Sequence, residues 1–207
     1  MKNTNIIAMS VAAALVAGCA AMGDSRDENR AKALAMMKSS FKERGQAKMD
    51  RFEQDDLQKA CSLLDGKTLD KATAASLEKA QQALVKYPAD GKFLGDWKSG
   101  ERIAQSGQGG QYSDDPKRPA GGNCYACHQL SKAEVSYGTI GPTLYNFGKL
   151  RGFTPEVQKY AYGKVYNSQA FAACSSMPRF GHNKVLTEQQ IKDVVALLMD
   201  PESPVNK

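Results

Sequence analysis

The chain is poor in the residues from which most metal sites and general-base catalysts are built: it holds two histidines, His128 and His182, among 207 residues. A zinc site assembled from paired Cys/His spacings would lack half its ligands. Neither ring is accompanied by an evident nucleophile–base pair. Long apolar runs are equally scarce. Beyond the first residues no segment reaches about 18 consecutive apolar positions, which excludes a membrane-spanning helix from the body of the chain. Basic residues outnumber acidic ones, 28 to 22, for a net charge of +6, but the two signs are interspersed. With no basic run interleaved with aromatics, a nucleic-acid partner is not expected. Strand-like alternation is missing from residue 24 to about 95, and no internal repeat is found.

The start of the chain has what the rest lacks. Lys2 precedes an apolar run from Ile6 to Gly18, too short to cross a bilayer and of the length of a signal-peptide core. Export is therefore expected, to a bacterial periplasm. Leu15-Val16-Ala17-Gly18-Cys19 has the form of a lipobox, which would make Cys19 a lipidated first residue and tether the protein to a membrane. Ordinary cleavage near Ala20 or Ala21, discarding Cys19, is the alternative. The expected organisation is a signal segment over 1–19, a helical extension over 20–94 and a compact domain over 95–207.

Helix signals are plentiful. Met49, Phe52, Leu57, Cys61 and Leu64 share one face at a 3.6-residue period, as do Leu77, Ala80 and Leu84. Before Arg44 the pattern is charged and weakly apolar, so a helix there is marginal. Asp96 is placed to N-cap a helix through about Ser106, and Thr154-Pro155 to open another through about Tyr166. Pro142 to Leu150 is expected as a short helix. Thr187 to Gln190 has capping-box spacing, followed by the stripe Ile191, Val194, Val195 and Leu198, which stops before Pro201. That stripe needs a partner, and the helix after Asp96 is the natural one, with Gly100 permitting a close crossing.

Chemistry concentrates in Asn123 to Leu130, NCYACHQL. Cys-x-x-Cys alone fits a thioredoxin-like redox pair, a zinc half-site or a covalent haem. No strand precedes it, against the first reading, and zinc would need two further ligands. Haem c uses every residue: Cys124 and Cys127 as thioether attachments and His128 as an iron ligand. Of the eight methionines, Met177 alone stands in an irregular segment after the motif, in Cys174-Ser175-Ser176-Met177-Pro178. It is the preferred second axial ligand over His182, a soft thioether that stabilises ferrous iron. Once Cys19 and the Cys124/Cys127 pair are assigned, Cys61 and Cys174 are left. In an oxidising compartment a disulfide between them is expected, two buried thiols being the alternative. Lys149, Arg151, Lys159, Lys164 and Arg179 are candidate steering charges for an acidic partner, Arg179 foremost because it follows the Met-Pro turn.

The order of helix, CxxCH, Ile140-Gly141-Pro142 turn, loop methionine and C-terminal helix resembles the all-α class I cytochromes c. That likeness gives the Pro142 carbonyl the task of holding the proximal imidazole. Five stretches further resemble SoxX, the monohaem subunit family of SoxAX complexes in bacterial sulfur oxidation: GDWKSGERIAQSG, GGNCYACHQL, GTIGPTLYNFGKLRG, MPRFG and LTEQQIKDVVALLMDPESPV. The resemblance implies one haem c on Cys124, Cys127, His128 and Met177. It also implies a SoxA-like cytochrome as heterodimer partner, a SoxYZ-type carrier reached through the complex, and a downstream electron-acceptor cytochrome. In SoxAX the coupling of thiosulfate to a carrier cysteine belongs to SoxA, so this chain is expected to relay electrons rather than to catalyse. A free-standing periplasmic shuttle is the alternative.

Overall fold

In the computed structural model, residues 26–64 and 66–207 are described; the signal segment and Cys19 lie outside them. The chain divides into two compact units, residues 1–42 and 43–207. In the first, helix α1 (Arg26–Ser40) has Asp27 and Glu28 in its first turn and Lys38 in its last, the arrangement that suits the helix dipole. It contains no buried residue.

The second unit is all-α. Helices α2 (Asp56–Ser62) and α3 (Lys71–Gln82) come first, then α4 (Trp97–Gln105), α5 (Phe147–Arg151), α6 (Pro155–Tyr166) and α7 (Glu188–Met199), with short 3-10 turns between them. Among the described residues there is no strand beyond one isolated bridge between Arg44 and Ala47, and no helix long and apolar enough to cross a membrane.

Caps define the elements where the sequence placed them. Asp96 accepts hydrogen bonds from the Lys98 and Ser99 amides to start α4, Thr154 accepts from Val157 to start α6, and Thr187 and Gln190 form a reciprocal capping box on α7. Helices α4 and α7 cross at the centre of the unit. A Cβ at Gly100 would lie 2.1 Å from the Asp193 carbonyl oxygen, so only glycine permits this approach. Ile191, Val194, Val195 and Leu198 are buried as expected, yet every residue from Ile191 to Met199 is buried too. Residues 90–96 cover the outward face: Asp193 accepts from the Asp96 amide at 2.9 Å, and Lys192 pairs with Asp90 at 3.3 Å. Each fully buried Leu, Ile or Val on α7 contributes about 1.5–3 kcal/mol.

Three expectations need correction. Pro142 to Leu150 does not form one helix; α5 starts at Phe147, after Asn146 in the left-handed region at φ 59°. The backbone before it is used otherwise, with the Gly141 amide on the Cys127 carbonyl and the Leu144 amide on the Gln129 carbonyl, both at 2.8 Å. The stripe Met49 to Leu64 is interrupted, because Asp55 opens a new helix through a capping box with Gln58. In α3 the apolar side is not the buried one: Leu84, just beyond it, is 46% exposed while Gln81 is 7% exposed.

Candidate functional site

The Cys-x-x-Cys-His segment is a 3-10 turn, Cys124–Ala126, entered through Asn123 at φ 46°. It is fastened to the end of α4 by the Gly122 amide on the Ile103 carbonyl, 2.8 Å, and the Asn123 amide on the Ser106 carbonyl, 2.9 Å. The Cys127 and His128 amides both bond the Cys124 carbonyl, at 3.1 and 2.9 Å. This tight turn brings the two thiols and the ring into one short loop. Tyr125, between the cysteines, is buried and donates its hydroxyl to Glu101 on α4 at 3.0 Å. Burial pushes the Tyr125 hydroxyl up to about 12 and raises the Glu101 carboxyl as well. The pair was not visible in the sequence, where the partners stand 24 residues apart.

The imidazole is fixed from behind. His128 Nδ1 lies 2.7 Å from the Pro142 carbonyl oxygen. A carbonyl only accepts, so Nδ1 carries a proton, and in the neutral ring Nε2 is the nitrogen that would bind a metal. A Cβ on Gly141 would fall 2.2 Å from His128 Cε1, so the ring lies in a cradle that any side chain at 141 would fill. Burial pushes the Cys124 thiol up to about 12. That direction is the reverse of the lowered value of a reactive redox Cys-x-x-Cys, and among the described residues the turn follows a helix and a loop rather than a strand. Among the described residues no three His, Cys, Asp or Glu side chains cluster to hold a metal ion, so a closed structural zinc site has no ligand set.

Met177 lies in the long segment between α6 and α7. Its half-buried side chain packs against the same core cluster as Cys124 and Leu144. Its carbonyl accepts the hydroxyl of Ser168, which is fully buried. A disulfide joins Cys61 and Cys174, their Cα atoms 5.4 Å apart. His182 sits in the turn after Phe180, with Arg179 and Asp55 nearby; burial and the Arg179 charge lower its pKa.

Arg179 does not face a partner. It is 5% exposed and pairs with Asp55 at 2.6 Å. Three of the other steering candidates lie over aromatic rings: Arg151 over Phe147 and Tyr160, Lys159 over Tyr87, and Lys164 over Phe171. A recess of about 520 Å³ abuts the motif on the side of Tyr125, Ala126 and Tyr137, away from the His128 ring and Met177.

The cytochrome c family model matches residues 112–200, the span that holds the motif, the Pro142 turn, Met177 and α7. Those residues form a cytochrome c domain. As a c-type cytochrome it binds haem covalently and transfers electrons. The cytochrome is 35% identical, over 215 residues and the full length of both chains, to an uncharacterized lipoprotein of Aquifex aeolicus (strain VF5). It also has a slight likeness to the crystal structure of SoxXA from P. pantotrophus, with 26% identity and a TM-score of 0.36 over 52% of this chain and 82% of that one. The residues present fit the cofactor: two thiols on a tight turn, an imidazole whose Nδ1 is engaged by a carbonyl, and a glycine cradle against the ring.

Proposed function

We propose that the protein is the monohaem electron-relay subunit of a SoxAX-type complex, a SoxX cytochrome preceded by a helical extension. Cys124 and Cys127 would hold one haem c by thioethers, His128 would be the proximal ligand through Nε2, and Met177 the distal one. The bound haem supplies a ferric/ferrous couple. The chain's own residues do the rest. The Pro142 carbonyl orients the imidazole and raises its basicity, which helps to set the potential. With His128 and Met177 both as iron ligands no coordination position would be left for substrate, so bond-making chemistry is assigned to the SoxA-like partner.

The observation that carries the electron-transfer part is the 2.7 Å contact between His128 Nδ1 and the Pro142 carbonyl, which leaves an imidazole prepared for iron beside two thiols. The Sox assignment rests on sequence: the five stretches from Gly95 to Val205, with the closing DPESPV the most specific. The electrons would come from thiosulfate joined oxidatively to a cysteine of a SoxYZ-type carrier, and would leave to a downstream cytochrome. The name of the Aquifex relative supports a lipid anchor on Cys19, and with it a periplasmic location at a membrane surface.

Co-expression with a SoxA-like cytochrome from the same genome tests the reading. A stable heterodimer whose haem in this chain is reduced when thiosulfate and carrier are added is the expected result. A monomer that exchanges electrons with cytochromes but neither binds SoxA nor responds to thiosulfate would point to the free-standing shuttle.

A further inference from the structure

The segment that carries Met177, residues 167–181, has little regular structure of its own: one 3-10 turn, Ser168–Ala170, and Cys174 at φ 60°. Two of its backbone groups, and two of its side chains, are instead met by side chains from far upstream. Glu78 accepts from the Ala173 amide at 2.8 Å, and Gln82 donates to the Ala170 carbonyl at 2.9 Å. Asn167 donates to the Gln81 carboxamide oxygen at 3.0 Å. Arg179 donates to Asp55 at 2.6 Å and to the same Gln81 oxygen at 3.3 Å. The Cys61–Cys174 disulfide adds a covalent tie across 113 residues. All of these ties come from α2, α3 or the Asp55 cap of α2, and all converge on the few residues around Met177.

The chemistry of the contact is informative. A docking driven by burial alone would hide Leu84, which is 46% exposed, and not Gln81, which is 7% exposed. Directed polar contacts gain little net stability in water but specify one geometry, because each buried group left unmatched is costly. Within the segment, Ser168 donates to the Met177 carbonyl, and Ser175 Oγ accepts from the Met177 amide at 3.3 Å. The methionine backbone is therefore held by two serines, Ser168 packed in the core and Ser175 in the tied loop.

We propose that α2 and α3 form a clamp that sets the position of Met177, with Asp55, Glu78, Gln81 and Arg179 as positioning residues. The clamp keeps the distal coordination position closed to outside ligands. The proposal rests on the reading of Met177 as distal ligand. It assigns residues 55–82 a task within the haem site: they determine how often the thioether leaves iron. Other charges facing the clamp are His182, beside Asp55 and Arg179, and Lys164, whose amine reaches the Ser168 carbonyl at 3.4 Å.

The test uses the full-length ferric holoprotein and imidazole as the outside ligand, whose binding must wait for Met177 to leave. Binding is followed by loss of the far-red absorption of methionine-ligated ferric haem. Asp55→Asn, Glu78→Gln and the double variant Cys61→Ser with Cys174→Ser should each bind imidazole roughly ten- to a hundredfold faster, the range set by losing a hydrogen bond to a charged group. Their far-ultraviolet dichroism should be unchanged. Asp55→Glu should restore most of the slow rate. Asp96→Ala, which removes the α4 cap away from the loop, should leave the rate alone while lowering overall stability. Amide exchange over residues 167–181, which does not depend on the iron, should accelerate in the three clamp variants and not in Asp96→Ala. Equal imidazole rates across clamp and cap variants would overturn the proposal. A Met177→Ala protein that keeps its far-red band would instead remove the ligand assignment itself, so the two failures are distinguishable.

Discussion

Replacing Gly141 by alanine is the sharpest probe of the proximal side. The added methyl would begin 2.2 Å from His128 Cε1, 2.5 Å from Nδ1 and 2.8 Å from Nε2, against 3.4 Å or more in ordinary contact. The ring has to give way by about 1.2 Å, a displacement large enough to disturb the 2.7 Å bond to the Pro142 carbonyl. Overpacking of this kind costs about 1–3 kcal/mol, and the lost hydrogen bond about 0.5–1.5 kcal/mol more. In a domain of this size the sum lowers Tm by about 5–12 °C. The second effect is electronic. Without an acceptor on Nδ1–H the imidazole is a weaker base toward iron, ferric iron is less well stabilised, and the reduction potential rises. Alanine has no backbone reason to fail here, since Gly141 is not in the left-handed region. Thermal unfolding and a potentiometric titration of the holoprotein measure both effects. A variant with wild-type Tm and wild-type potential would refute the cradle argument.

Three further outcomes follow from the same structure. Removing both Cys61 and Cys174 opens a loop of 113 residues and should lower stability by about 4–5 kcal/mol in chemical denaturation; intact holoprotein should show no titratable thiol. Burial alone would raise the Asp55 pKa, but the Gln58 amide and Arg179 outweigh it and hold the carboxyl below its ordinary value of 3.8. The contribution of Asp55 is therefore present above about pH 4 and lost as pH falls through its lowered native pKa, so Asp55→Asn should flatten the acid limb of a stability–pH profile. Gly100→Ala puts a methyl 2.1 Å from the Asp193 carbonyl oxygen and should destabilise by about 1–3 kcal/mol through separation of α4 from α7, read by denaturant midpoint.

Local signals were legible in the sequence where the chemistry is local. The caps Asp96, Thr154 and Thr187 act within three residues, and each opens the helix it was expected to open. The Cys-x-x-Cys-His turn is read the same way. What escaped were the polar contacts between partners remote in sequence. Leu77, Ala80 and Leu84 form a plausible apolar stripe, yet α3 docks through Glu78, Gln81 and Gln82, because its neighbour is a loop with unsatisfied backbone rather than an apolar face. Arg179 looks like a surface charge beside a functional loop. Nothing in its neighbourhood announces Asp55, 124 residues away. The burial of Lys192 and Asp193 is similar, since the covering segment at residues 90–96 carries no periodic signature.

The Cys61–Cys174 bridge has a topological consequence for maturation. Cys124, Cys127 and His128 all lie inside the closed ring of chain that it creates. Under the proposed function four thiols would meet an oxidising compartment in one polypeptide, two destined for each other and two for the porphyrin. A premature bond between Cys124 and Cys127 would block attachment, and a crossed bond would strand both pairs. The near pair is three residues apart and encounters itself soonest, whereas Cys61 and Cys174 are separated by 113 residues. Maturation then becomes a question of timing, in which the reductant that keeps the near pair available must act before the distant pair has closed, or spare it afterwards.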